Sequence, residues 1–204
     1  MILYGHPISQ HVRRVIMLCK ESDIPCDFKL VKLEEGEHMT PEFKKLNPNS
    51  MVPTIDDDGF ILWESNTIMR YLCEKHKKTA GDFYPSAIQE RANVDKWLDW
   101  VHTRLNPPVH TIGLNMLVLR DKADKELIAT NKKTWIDEVL PVIETSLSYT
   151  NFLANNKLSI ADLAAASVFG MAEMCQIDIS KFPATTEWFN RIKSRNSFKE
   201  TAFN

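Results

Sequence analysis

The stretch from Asn47 to Leu72, NPNSMVPTIDDDGFILWESNTIMRYL, constrains this chain more than any other, because five structural instructions occupy 26 residues. Val52-Pro53 stands before a short apolar run, Thr54-Ile55. The residue before a proline is pushed toward extended backbone and the X-Pro bond has an accessible cis form, so a strand is expected after Pro53 and its bond is a candidate for cis. Asp58-Gly59 is a hairpin signal joining that run to Phe60-Ile61-Leu62-Trp63, a second strand of aromatic and branched residues. Glu64-Ser65 then ends the strand, with Ser65 expected as the N-cap of a helix whose apolar residues Ile68, Met69 and Leu72 recur at helical spacing. Free N–H groups at such a helix start suit an amino-acid-like zwitterion, its carboxylate meeting Ser65 and its ammonium group meeting Glu64.

Upstream, the pattern predicts a strand over Met1–Tyr4, a helix over Gln10–Ser22, a strand over Asp27–Lys32 and a short helix over Pro41–Leu46. Together with strands at Pro53–Ile55 and Phe60–Trp63 and a helix at Ser65–His76, the order is β-α-β-α-β-β-α. Val12, Val15, Ile16 and Cys19 recur at i, i+3, i+4 and i+7, one apolar face to pack on a sheet. Gly81 and Pro85 break the periodicity, which places a linker at 79–86 between a first domain, 1–78, and a second, 87–204. The second reads as all helix. Val94, Trp97, Leu98 and Val101 mark a long helix expected to end before Pro107-Pro108, followed by helices at Lys133–Tyr149, Ile160–Met174 and Glu187–Arg195. Ser159 with Asp162 three residues on is a capping signature for the third of these.

At 204 residues and 44 % hydrophobic content the chain buries a substantial core. With 25 basic and 27 acidic residues and a net charge of −2 there is no polybasic field, which argues against nucleic acid or an anionic membrane as partner. The opening MILYGHPISQ lacks a basic-then-apolar leader and no apolar run reaches the roughly 18 residues of a membrane span, so a cytoplasmic protein is expected. Cys19, Cys26, Cys73 and Cys175 show neither CxxC spacing nor a clustered His set, so they read as reduced thiols. His102 and His110, eight apart across two prolines, fit no metal-ligand spacing, and no metal is expected.

Proline before a strand, a tight hairpin and a helix opening on Glu-Ser closely resemble the second half of the thioredoxin-like domain of cytosolic glutathione transferases, and the resemblance extends over the whole chain. LYGHPISQHVRRVIMLCKE (3–21) resembles the theta, delta and bacterial theta-like members, which carry a serine at the place of Ser9. EEGEHMTPEF (34–43) and NPNSMVPT (47–54) are similar to the family's glutathione-contacting loops. QERANVDKWLDW (89–100) and FLANNKLSIADL (152–163) resemble its helical half. The implied architecture is an α+β thioredoxin-like domain followed by an all-α helical bundle.

The resemblance implies that Ser9 donates a hydrogen bond to the sulfur of glutathione, whereas position alone makes Ser9 a helix N-cap. It implies a backbone pair from Val52, ahead of cis Pro53, to the cysteinyl part; contacts to the γ-glutamyl end from Glu64, Ser65 and Asn66; and His38 and Met51 toward the glycyl end. Trp100, Arg104, Pro108 and Ile112 are the implied lining for a small apolar electrophile, although aromatic stripes at helical spacing also read as core. Ser50, Met51 and Asn66 stand where relatives carry basic residues, so weaker hold on glutathione is expected. The implied activity is glutathione conjugation in detoxification, by a homodimer, with no cofactor beyond glutathione as co-substrate. Two other readings share the fold: a non-catalytic binding module, as in stringent-starvation regulators and elongation-factor subunits, and a glutathione-dependent dehalogenase.

Overall fold

The computed structural model describes residues 1–201 and divides the chain into two compact units. In the first, 1–84, β1 (Ile2–Gly5), α1 (Gln10–Glu21), β2 (Asp27–Leu30), α2 (Pro41–Leu46), β3 (Thr54–Asp57), β4 (Phe60–Trp63) and α3 (Ser65–Lys75) follow the expected order, with a short helix, α4 (Lys77–Ala80), after them. The four strands form one sheet in the order β2-β1-β3-β4. β2 runs parallel to β1, pairing Gly5 with Leu30, while β3 is antiparallel to both its neighbours, pairing Tyr4 with Thr54 and Thr54 with Trp63. This is the thioredoxin-like arrangement. Leu3 and Ile55 of the sheet, Val12, Val15 and Leu18 of α1, and Ile68, Met69 and Leu72 of α3 have no exposed surface and make the core.

Gly5 shows why the α1 side of this sheet tolerates nothing larger. A Cβ there would stand 2.6 Å from Cγ1 of Val12, itself wholly buried and β-branched. Gly5→Ala is expected to destabilise the first unit by about 1–3 kcal/mol, read from urea unfolding.

Helix α1 is buried on more than the predicted face, because Gln10, Arg13 and Arg14 are buried with Val12, Val15 and Cys19, while Ile16 is only half-buried. For Arg13 the reason lies at the far end of the chain. Residues 196–201, expected in the helical domain, pack with the first unit through a short helix, α11 (Asn196–Lys199). The Arg13 guanidinium lies 3.8 Å from the centre of the Phe198 ring and its Nη2 donates to the Phe198 carbonyl at 2.9 Å. Ser197 Oγ donates to Glu21, and Lys20 pairs with Glu200. The expected linker is also ordered: α4 and a 3-10 turn over Gly81–Phe83 lead to the unit boundary at Tyr84.

The second unit, Pro85–Arg195, is helical: α5 (Ile88–Trp100), α6 (Asn106–Gly113), α7 (Lys125–Thr134), α8 (Leu140–Leu147), α9 (Ile160–Met174) and α10 (Pro183–Lys193). The expected stop before Pro107-Pro108 does not occur. A π-helical turn, Val101–Leu105, joins α5 to α6 without a break, and another, Trp135–Val139, precedes Pro141 in α8. Proline lacks an N–H and its ring strikes the carbonyl four residues back, and a wider turn relieves both problems. Nor was α7 foreseen: it begins eight residues before the predicted start at Lys133, where Asp124 accepts from the Leu127 N–H at 2.9 Å as N-cap.

Helix α9 has the predicted bounds, and every residue from Ile160 to Ala172 is buried. Its aromatic surroundings, Trp135, Trp188 and Phe189, sit 5.2, 5.3 and 5.5 Å from the Phe169 ring centre. Its start is held by Asp162, which has no exposed surface. One carboxylate oxygen accepts from the Leu153 N–H and Trp188 Nε1, both at 2.9 Å; the other accepts from the N–H and hydroxyl of Ser159, both at 3.0 Å. Burial pushes the Asp162 carboxyl up to about 6, against the pull of these four donors.

Candidate active site

Strand register brings the predicted residues of the first unit to one edge of the sheet. The row Tyr4, Thr54, Trp63 is paired across β1, β3 and β4. Since β3 runs opposite to its neighbours, the chain beyond Tyr4, the chain before Thr54 and the chain beyond Trp63 all emerge at that edge. Those three segments carry Ser9, Val52-Pro53 and Glu64-Ser65. The parallel strand β2 ends there too, Leu30 opposite Gly5, and delivers the loop with His38.

Ser9 is the N-cap of α1: its backbone is extended (φ −78°, ψ 114°) and its Oγ accepts from the Val12 N–H at 3.4 Å. Acting as acceptor leaves the hydroxyl hydrogen available to a partner in the groove. The turn before it is closed by the Ser9 N–H donating to the His6 carbonyl at 3.0 Å and the Ile8 N–H to His6 Nδ1 at 3.3 Å. His6 Nε2 lies 3.4 Å from Glu34, which ties this turn to the loop after β2. That loop consists of two 3-10 turns, Leu33–Glu35 and Glu37–Met39, around Gly36 in the left-handed region (φ +74°). His38 is half-buried, and its Nδ1 is buried with no hydrogen-bond partner among the described residues.

The loop before β3 is shaped by Asn47, whose side chain is almost wholly enclosed. Its Nδ2 donates to the Met51 carbonyl at 2.8 Å and to Thr54 Oγ1 at 3.2 Å, and its Oδ1 accepts from the Asn49 N–H at 3.0 Å. Met51 itself is 66 % exposed, too open to grip a ligand without one present. The Val52-Pro53 bond is cis. Among the described residues no hydrogen bond engages the backbone of half-buried Val52, so its N–H and C=O are available as a pair.

At the third segment the sequence reading needs a correction. Glu64, not Ser65, is the N-cap residue of α3, with a left-handed backbone (φ +72°, ψ 107°) and no side-chain cap. A non-glycine residue there carries about 1–3 kcal/mol of strain. The kink leaves Glu64 exposed and makes Ser65 the first helical residue, buried, with its Oγ 3.5 Å from His11 Nδ1 on the first turn of α1. A second link joins the same two helix starts: Arg14, without exposed surface, donates from Nη1 to Asn66 Oδ1 at 3.1 Å. Sequence reasoning missed both links, since neither His11 nor Arg14 has a local signal. Burial lowers the Arg14 guanidinium to about 9, still protonated at neutral pH. The arrangement therefore sets two helix N-termini, a buried cation, a hydroxyl pair and an exposed carboxylate around one sheet edge, which suits a ligand with both an acidic and an ammonium end.

The residues expected to meet an electrophile lie on the continuous α5–α6 segment. Trp100 is half-buried and packs edge-on against Trp97 at 5.2 Å, Arg104 is exposed and Pro108 half-buried. Ile112 has no exposed surface, so it lines no open wall. No helix among the described residues is long and apolar enough to cross a membrane.

A thioredoxin-like sheet presenting such an edge, followed in the chain by an all-helical unit, defines the class of two-unit proteins with a thioredoxin-like first part. The N-terminal-domain model of glutathione S-transferases matches residues 3–80 and the C-terminal-domain model residues 105–196. Glutathione transferase F7 from Populus trichocarpa is 30 % identical, with 98 % of this chain and 97 % of that one covered and a TM-score of 0.91. Human glutathione S-transferase T1-1 in its apo form is 28 % identical over 98 % and 87 % of the two chains, with a TM-score of 0.89. A glutathione S-transferase-I bound with lactoylglutathione is 25 % identical over 98 % and 97 %, also at 0.89. The chain belongs to the glutathione S-transferase family.

Proposed function

We propose that the protein is a glutathione transferase of serine type, theta- or delta-like in its thiol chemistry, which adds the glutathione thiolate to small apolar electrophiles by substitution or conjugate addition. The observation that carries this reading is the convergence of Ser9, the unengaged Val52 backbone and Glu64-Ser65 at one sheet edge. Glutathione lies along that edge in this reading. Its γ-glutamyl carboxylate meets the Ser65 hydroxyl and the N–H groups of the first turn of α3, its ammonium group pairs with Glu64, and its cysteinyl amide pairs with Val52. His38 and Met51 stand toward the glycyl end. Asn66 acts through its bond to Arg14, which brings positive charge behind the γ-glutamyl carboxylate. The solved relative carrying lactoylglutathione supports a glutathione derivative as ligand.

The thiol then sits beside the Ser9 hydroxyl. A free thiol of pKa about 8.5 is only a few per cent ionised at neutral pH. Lowering that pKa by about 2 units makes thiolate the main species, for roughly 2.7 kcal/mol of differential stabilisation. One hydroxyl donor together with the positive end of α1 is of that size. The electrophile meets Trp100, Arg104 and Pro108 in this reading; buried Ile112 is left out. A cytoplasmic homodimer using no metal and no cofactor beyond its co-substrate completes the proposal.

Retention on immobilised glutathione together with turnover of a chlorinated aromatic test substrate is the expected result. Failure of both assigns the protein to the non-catalytic binders of this fold. Ser65→Ala is expected to weaken glutathione binding about tenfold, the worth of one hydrogen bond to a charged group, in a calorimetric titration. An unchanged Kd moves the γ-glutamyl end elsewhere.

A further inference from the structure

Away from the sheet edge just described, the first unit has a second concavity of about 510 Å³ whose walls include Ile16, Lys20, Phe28 and two thiols, Cys19 and Cys26. The volume is in the range of small-molecule sites. Cys19 lies in the last turn of α1 and is 4 % exposed; Cys26 precedes β2 and is half-buried. The chain between them folds back at once: the Ile24 N–H donates to the Cys19 carbonyl at 2.9 Å and Asp23 takes a left-handed backbone (φ +50°). The Asp27 N–H, donating to the Met1 carbonyl at 3.0 Å, then pins the start of β2. Six intervening residues thus close a loop that sets both thiols on the wall of this one cavity.

We propose that Cys26 and Cys19 form a thiol–disulfide exchange site, in which Cys26 is attacked by and retained on a small disulfide and Cys19 resolves the adduct to an intramolecular Cys19–Cys26 disulfide. The site is independent of the proposed transferase activity. In the first step the Cys26 thiolate attacks one sulfur of the incoming disulfide, whose S–S bond breaks, and one small thiolate departs. In the second, Cys19 attacks the Cys26 sulfur of the mixed disulfide and expels the second small thiol. The protons of both cysteines end on the two released thiols; the protein pair loses two electrons and the small disulfide gains them.

The two cysteines are unequal in the way this sequence needs. Interaction between the two thiols, with burial, pushes Cys19 up, and the same interaction holds the Cys26 thiol below its ordinary value against burial and nearby Asp27. Cys26 is also the more exposed of the two, so it is the one an incoming disulfide reaches. The remaining cysteines are poor competitors. Cys73 is 1 % exposed and pushed up to about 12 by burial, and Cys175 has no exposed surface and is pushed up by burial as well.

The reduced full chain is exposed to bis(2-hydroxyethyl) disulfide and, in parallel, to glutathione disulfide, and intact mass and non-reduced peptide maps are followed in time. Wild type is expected to lose two hydrogens and yield a Cys19–Cys26 cross-linked peptide with either probe. Cys19→Ser is expected to accumulate the mixed disulfide on Cys26, and Cys26→Ser to react about tenfold or more slowly. An unreacted wild type, first modification at Cys73 or Cys175, or equal rates for wild type and Cys26→Ser overturns the proposal. Reaction with glutathione disulfide alone also overturns it, because the cavity would then play no part of its own.

Discussion

Ser9→Ala is expected to leave the fold in place and to lower kcat/KM by up to about 25-fold at pH 7, the ratio of thiolate fractions for a thiol of pKa about 6.5 against one of about 8.5. Two effects have to be separated. Ser9 caps α1 through the Val12 N–H at 3.4 Å, a long bond, so its removal costs about 0.5–2 kcal/mol of stability and leaves most molecules folded. The catalytic loss has a signature that capping does not. If the hydroxyl stabilises the thiolate, the mutant's pH profile shifts upward toward the free thiol and much of the deficit is recovered near pH 9. A deficit equal at pH 7 and pH 9 would assign Ser9 to structure alone. Unchanged turnover would transfer the role to Tyr4 or to the His6–His11 turn.

Asp162→Ala is expected to be the most damaging single change in the second unit, at about 3–5 kcal/mol in urea unfolding. Its four donors are buried: Leu153, Ser159 and Trp188 are 4, 3 and 1 % exposed. Without the carboxylate each N–H loses its acceptor where water cannot replace it, at about 1–3 kcal/mol apiece before relaxation. The pH dependence runs opposite to that of a salt-bridged acid. The carboxyl is pushed up to about 6 in the folded state against about 3.9 unfolded, so between these values the native state binds more protons. Stability through this group is therefore fully present below about pH 4 and falls as pH rises to about 6, by about 3 kcal/mol. Asp162→Asn, which keeps the shape but not the proton, is expected to abolish that slope. A variant that keeps the slope, or an alanine variant costing under about 1 kcal/mol, contradicts this account.

Where local chemistry decides, the sequence was readable. The hairpin at Asp58-Gly59, strand Phe60–Trp63, helix Pro41–Leu46 and the Ser159–Asp162 start of α9 depend on neighbours a few residues apart, and all four stand where the pattern puts them. The candidate site was readable in its residue types but not in its joints. That Ser65 faces His11, and that buried Arg14 reaches Asn66, depends on how α1 lies against α3. The same holds for Glu64, whose left-handed backbone makes it the cap in place of Ser65: the turn out of β4 overrides the capping preference of serine.

Misreadings arose where a long-range contact overrode a local rule. Pro107-Pro108 is a helix stop by propensity, yet a π-helical turn carries the helix through it. Residues 196–201 read as the end of the helical domain until Arg13 and Glu21 of α1 are seen to receive Phe198 and Ser197. Cys19 and Cys26 have no motif spacing, and only the turn at Asp23 brings them to one cavity wall. By itself the chain determined the strands and main helices of its first unit, their β-α-β-α-β-β-α order and the chemical types at the sheet edge, because backbone preferences and apolar periodicity act over a few residues. Which side chains meet was decided only by the tertiary structure, since that depends on strand register and helix packing between residues up to 188 positions apart.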